Sequence, residues 1–137
     1  MGFIYFNPNP QQKVVGDCTI RAISLLTEQD WKQVYISLTL LGFEECDMPS
    51  SNAVWSKYLI NLGYERKIIP NTCPFCYTVK DFCEDNSYGK FLLATGSHVV
   101  TVIDGNYFDA WDSGDQVPIY YWFKKGGLKN ELQLRLY

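Results

Sequence analysis

Four residues in the sequence have the types needed for thiol-dependent acyl transfer, and they lie far apart along 137 residues. Cys18 stands in "GDCTIRAIS", at the start of a stretch with helical apolar spacing. A first-turn position places its sulfur near unsatisfied backbone N–H groups and the positive end of the helix dipole. Both favour the thiolate, which is the nucleophilic form. Taken alone, Cys18 reads better as a small half-buried core residue than as a nucleophile. The sequence holds one histidine, His98, so a general base of the usual kind acting on Cys18 has to be this residue. Gly96-Ser97 put it at the mouth of a strand, and the strand's return leg carries Asp109 and Asp112.

The hairpin sets a register. With Asp104-Gly105 as a two-residue turn, Ile103 faces Asn106, Val100 faces Asp109 and His98 faces Trp111. Asp109 then becomes the diagonal neighbour of His98, about 7–8 Å away by backbone and within side-chain reach. There it would fix the imidazole tautomer and stabilise the imidazolium. Asp112 would point to the other face. A three-residue loop would exchange the two and set Asp112 across from His98, but the turn chemistry favours Asp109. Donors for a developing oxyanion are the Cys18 backbone N–H and an upstream side-chain amide, for which Gln11 and Gln12 are in place, Gln12 six residues before Cys18.

Gln12, Cys18 at a helix start, His98 leading a strand and "DAW" on the return strand together resemble the papain-like cysteine protease superfamily, with its transglutaminase-like branch. The resemblance implies a Cys18, His98, Asp109 triad with Gln12 at the oxyanion. The family often follows its third residue with Ser-Trp, and here Ala110-Trp111 follow Asp109. That favours Asp109 over Asp112 and implies that Trp111 shields the His98–Asp109 contact from water. The chain is far shorter than papain and lacks the glycine- and tryptophan-flanked cysteine motif, so no large cleft with formed side-chain pockets is implied. It is also similar, over nearly its whole length, to small uncharacterised bacterial and phage proteins that combine "NPNP", "GDCTxRAI", "CPxCYTVxDFC" and "HVVxVxDGxYxDxWDSG". The activity implied is hydrolysis of a peptide or isopeptide bond in a protein or peptide substrate, with no metal or organic cofactor. The alternatives are transglutamination or deamidation on the same core, and a non-catalytic phage-encoded protein that binds a host partner.

These residues need helices first and a sheet afterwards. Ile20, Ile23 and Leu26 continue a helix from Gly16-Asp17, with Asp17 as its cap. A second helix follows Asp30 and is expected to stop at Gly42. A third runs from Ser50 or Ser51 to Gly63. Glu65 to Ile69 read as a short strand, and "TVKDFCED" as a short helix with Thr78 and Asp81 forming a capping box. "KFLLAT", "HVVTVI", "YFDAW" and "PIYYWF" then read as consecutive strands. Gly126-Gly127 mark a turn before "LQLRLY", a last strand or a tail. The expectation is an α+β fold with a papain-like core. It forms a single domain over residues 1–137, helical over 1–64 and mainly antiparallel sheet over 65–137.

Other features compete for attention. "CPFC" at Cys73 to Cys76, with Cys83 beyond, would need Cys46 or His98 to complete four metal ligands, and no second C-x-x-C exists. Buried thiols on a loop and a short helix are the expected reading. Arg21, one turn after Cys18, is expected in an ion pair with Asp17, Asp109 or Asp112. A net charge of −3 argues against a nucleic-acid binder. No apolar run reaches the roughly 20 residues of a membrane span. "MGFIYFNPNP" is not a secretory signal, and Phe6 breaks a myristoylation match. An odd cysteine count without a signal points to a reduced, cytoplasmic compartment, bacterial or that of a phage's host.

Overall fold

Strand-like alternation in the second half of the chain builds one sheet with a different core on each face. The structure, a computed structural model, describes residues 2–124. Its elements are β1 (Phe3–Tyr5), α1 (Cys18–Thr27), α2 (Trp31–Glu45), α3 (Asn52–Asn61), β2 (Tyr64–Ile68), α4 (Val79–Asp85), β3 (Lys90–Ala94), β4 (Val99–Ile103), β5 (Asn106–Asp109) and β6 (Tyr120–Lys124). This is an α+β fold of four helices and a six-stranded sheet in the order β1-β5-β4-β3-β6-β2. The Gly126-Gly127 turn and "LQLRLY" lie outside the described residues.

Successive strand residues point to opposite faces, and the two cores divide accordingly. Leu92, Ala94, Val99 and Trp122 pack with Ile23, Leu26, Val34, Leu38, Trp55 and Leu59 from α1, α2 and α3. Leu93, Val100, Val102 and Tyr107 pack with Val79, Phe82 and Cys83 from α4. A three-layer arrangement results, and it holds α1 against β4. Thr101 seals that contact by donating its hydroxyl to the Ala22 carbonyl at 2.6 Å.

The local signals explain most boundaries. Asp30, Ser51 and Thr78 each accept the N–H three residues on, from Gln33, Val54 and Asp81. Thr78 and Asp81 form the reciprocal capping box. At the β4–β5 hairpin, Asp104 and Gly105 take φ of 49° and 78°, the left-handed pair that a two-residue primed turn needs. The ladder then pairs Ile103 with Asn106, Val102 with Tyr107 and Thr101 with Phe108, the expected register.

Four expectations need correcting. The sheet is mixed, because the N-terminal Phe3–Tyr5 segment adds as a parallel edge strand on β5. The helical and sheet parts therefore do not divide cleanly along the chain. Gly42 does not stop α2, which runs on to Glu45. Glycine is used there because a Cβ would meet the Asp47 carbonyl at 2.8 Å, where the chain folds back. Asp17 occupies the N-cap position of α1, yet its side chain makes no cap hydrogen bond. Cys73 and Cys76 are not two buried thiols but form a disulfide, in a turn closed by the Phe75 N–H on the Thr72 carbonyl. Cys83 is buried in α4 as expected, and Cys46 is an exposed thiol.

Candidate active site

Three elements end at one place. α1 begins with Cys18, the β3–β4 turn delivers His98, and β5 ends at Asp109. The hairpin ladder stops at Thr101↔Phe108, so His98 and Asp109 lie at its open end, free of strand pairing with each other. Thr95 fixes the turn before His98. Its hydroxyl oxygen accepts the Ser97 and His98 N–H groups at 3.3 and 3.0 Å, and its own N–H donates to the His98 carbonyl at 2.8 Å. That bracing holds the imidazole's backbone before any side-chain contact is made.

His98 Nε2 lies 2.6 Å from Asp109 Oδ2. With Nε2 taken, Nδ1 is the nitrogen left to face the Cys18 thiol across the cleft that the two residues line, and each shifts the other's ionisation. Burial pushes the Cys18 thiol up. The His98 imidazole, the Val99 backbone amide and the Thr19 hydroxyl outweigh it and hold the thiol below its ordinary value. Burial pushes His98 down, but Asp109 first and Cys18 second raise it to about 9. Burial likewise opposes ionisation of Asp109, and His98, Ser113 and Arg21 hold its carboxyl below the usual range. The contrast with Cys83 is informative: burial with no such partner pushes that thiol up to about 11.

Asp109 is 1% exposed and accepts two hydrogen bonds on each oxygen. Oδ1 takes Arg21 at 2.7 Å and the Ala110 N–H at 2.8 Å; Oδ2 takes His98 at 2.6 Å and the Ser113 hydroxyl at 2.6 Å. Arg21 also reaches Asp17 at 2.6 Å, and Asp17 accepts the Trp31 indole N–H at 2.8 Å. Asp17 is thereby turned away from the helix end, which leaves the first-turn N–H groups of α1 without a side-chain cap. Trp111 packs on the His98 ring, with centroids 4.7 Å apart.

Two candidate residues stand elsewhere. Asp112 accepts the Tyr107 hydroxyl and the Gly114 N–H, not His98. Gln12 lies in a left-handed turn with φ of 55°, and its amide donates to the Asn9 and Asn7 carbonyls of its own loop. It does not line the cleft that Cys18 and His98 share. The Asn-Pro turn captures the amide locally before it can reach α1. Ser113 and Thr95 belong to the site and were not singled out from the sequence. The only signal for Thr95 was a hydroxyl residue before Gly-Ser, the pattern of a side-chain-closed turn.

Cys18 and His98 open on a cleft of about 230 Å³, lined also by Gly16, Ser50, Asn52, Trp55, Gly96 and Tyr120. Among the described residues its lining carries no Asp, Glu, Lys or Arg side chain. A larger groove of about 590 Å³ lies at the opposite end of the sheet, where β3 starts and β4 ends. It is lined by Lys90, Lys124, Tyr64 and Tyr88 and carries no cysteine or histidine. Among the described residues no helix is long and apolar enough to cross a membrane. Comparison with protein-family models, with curated proteins and with solved structures gives no match to this chain.

Proposed function

We propose that this protein is a thiol-dependent acyl-transfer enzyme with a papain-like core, acting as a hydrolase of peptide or isopeptide bonds. The observation that carries the reading is that Cys18 and His98 line one cleft while His98 Nε2 lies 2.6 Å from the buried Asp109, with a lowered thiol and a raised imidazole. The arrangement of a helix-borne cysteine packed on a sheet that supplies the histidine and acid supports the core assignment.

In the first half-reaction the Cys18 thiolate attacks the substrate carbonyl carbon. The oxyanion that forms is met by the uncapped first-turn N–H groups of α1, which replace the amide expected from Gln12. His98 Nδ1 carries the proton taken from Cys18 and gives it to the leaving amine. The C–N bond breaks and a thioester remains. Water then attacks the thioester, His98 accepts its proton, and the carboxylic acid product leaves with Cys18 restored. Asp109 keeps the imidazole oriented and stabilises its charged form throughout.

The test is alkylation by iodoacetamide at pH 7, followed site by site with mass spectrometry. Exposed Cys46 serves as an internal ordinary thiol. Cys18 is expected to react at least about tenfold faster than Cys46, and His98→Ala to remove the advantage. Equal rates at the two thiols, together with Cys18→Ala leaving hydrolysis of peptide and isopeptide substrates intact, would overturn the reading.

A further inference from the structure

Arg21 offers more than an ion pair. It is buried, and its guanidinium joins two buried carboxylates that come from opposite sides of the site. Nη1 holds Asp17, at the residue before the nucleophile helix, and Nη2 holds Asp109, at the end of β5. We infer that Arg21 is a positioning residue, whose fork locks Asp109 with Oδ2 turned to His98 and tempers the basicity of that histidine. The inference deepens the acyl-transfer reading and rests on it for its meaning in catalysis.

Geometry supports the first half. A carboxylate with two donors on each oxygen has no freedom to rotate. Withdrawing Arg21 would leave Oδ1 with the Ala110 N–H alone. A planar fork is suited to this task in a way that a single ammonium is not, because it presents paired donors in fixed geometry. The same fork holds Asp17 away from the N-terminus of α1, where its carboxylate would otherwise cap the first-turn amides.

Charge supports the second half. Arg21 and the His98 imidazolium share one carboxylate, so each cation weakens the other's hold on it. The charged or titratable groups around His98 are Cys18 from α1, Asp109 from the end of β5 and Tyr120 from β6, which lines the same cleft. Asp17 lies on the far side of Arg21 from Asp109 and acts on His98 more weakly.

The sole histidine makes the experiment direct, since its ring signals in NMR need no assignment against others. Removing Arg21 alone would strand two buried carboxylates, so the variant is the double D17N/R21M, which deletes one charge of each sign. The His98 midpoint is expected to rise by about half a unit to one unit, as a neighbouring cation is lost. Arg21→Lys, which keeps the charge but not the fork, is expected to hold the midpoint and to speed water exchange of the His98 Nε2 proton by about tenfold. A purely structural ion pair would lower the melting temperature of both variants and move neither readout. A folded double variant with an unmoved midpoint overturns the tempering role. If the double variant does not fold, Arg21→Lys alone decides, and wild-type proton exchange in it overturns the positioning role. Both readouts are independent of turnover, so equal alkylation rates with hydrolysis intact in Cys18→Ala would sink the enzyme reading without deciding this one.

Discussion

His98 and Asp109 are joined by a 2.6 Å contact from Nε2 to Oδ2 that lies just past the last paired rung of the β4–β5 hairpin. Asp109 closes β5, where it still pairs with Tyr5 of β1, and so stands at the edge where α1, β5 and the following loop meet. Asp109 can therefore accept from Arg21 on α1 and from Ser113 on the following loop as well as from His98. Replacing the carboxylate while keeping its shape isolates the charge. In Asp109→Asn the His98 midpoint should fall from about 9 towards 6.5, because the main group raising it is lost. At pH 7 the thiolate fraction of Cys18 should fall with it, slowing iodoacetamide by about tenfold or more. The His98 titration by NMR and the alkylation rate check this. An unchanged midpoint would show that Cys18, not Asp109, holds the proton on the imidazole.

The pH dependence has a defined sign. A raised His98 contributes stability that is whole below about 6.5 and lost as pH climbs through about 9. A lowered Asp109 contributes stability present above its ordinary value near 3.8 and lost as pH falls through its folded value. Cys18 acts against His98 on the alkaline side, since a depressed thiol adds stability as pH rises from its folded value towards the ordinary 9.0, where the gain is complete. Hydrolysis should consequently rise with Cys18 ionisation, at a pH below the ordinary thiol value, and fall again near 9, when His98 can no longer protonate the leaving amine. Alkylation should show the rise without the fall, because a bare thiolate still reacts. Parallel profiles of the two reactions make the comparison, and a matching alkaline fall in both would place the limiting ionisation elsewhere.

How much of this was legible in the sequence follows from the range of each interaction. Helix caps at Asp30, Ser51 and Thr78 and the Asp104-Gly105 turn act over three or four residues, so residue type alone located them. The hairpin then carried His98 and Asp109 together, eleven residues apart, by pairing register. Arg21 is 88 residues from Asp109, and its partner among three acids depended on how α1 lies on the sheet, which no spacing encodes. β1 failed for the same reason: a parallel edge strand pairs with residues about a hundred positions away and has no turn to announce it. Gln12 misled because the likeness to other chains fixed its distance from Cys18 along the sequence, while a left-handed turn fixed where the amide points.

That local capture of Gln12 leads to a further expectation. If the first-turn amides of α1 hold the oxyanion, Gln12→Ala should change the hydrolysis rate by no more than about twofold. Loss of a real oxyanion donor costs about a hundredfold to a thousandfold. A hundredfold loss measured with a small amide or ester substrate would mean that the Asn7–Gln12 loop opens when substrate binds and sends the amide into the site.

The lips of the cleft give the last prediction. Gly16 lies two residues before Cys18 and Gly96 two before His98, and both line the cleft. Neither has a left-handed φ, and a Cβ added at either would meet no atom within 4 Å. The fold therefore asks for glycine at neither position, whereas a Cβ at Gly42, inside α2, would clash with the backbone that folds back after the helix. What the two glycines leave open is the space over the Cys18–His98 pair, the width an extended substrate chain needs to bring its carbonyl to the sulfur. Gly96→Val should leave the melting temperature within about 2 °C, about half a kcal/mol at this size. It should slow labelling of Cys18 by a bulky peptidyl electrophile by roughly tenfold or more, as expected for a misfit of a few methyl groups in a site. Iodoacetamide, which needs no such width, should react at nearly the wild-type rate. Equal slowing of the small and bulky reagents would point instead to a displaced His98, and would remove the glycines from any role in admitting substrate.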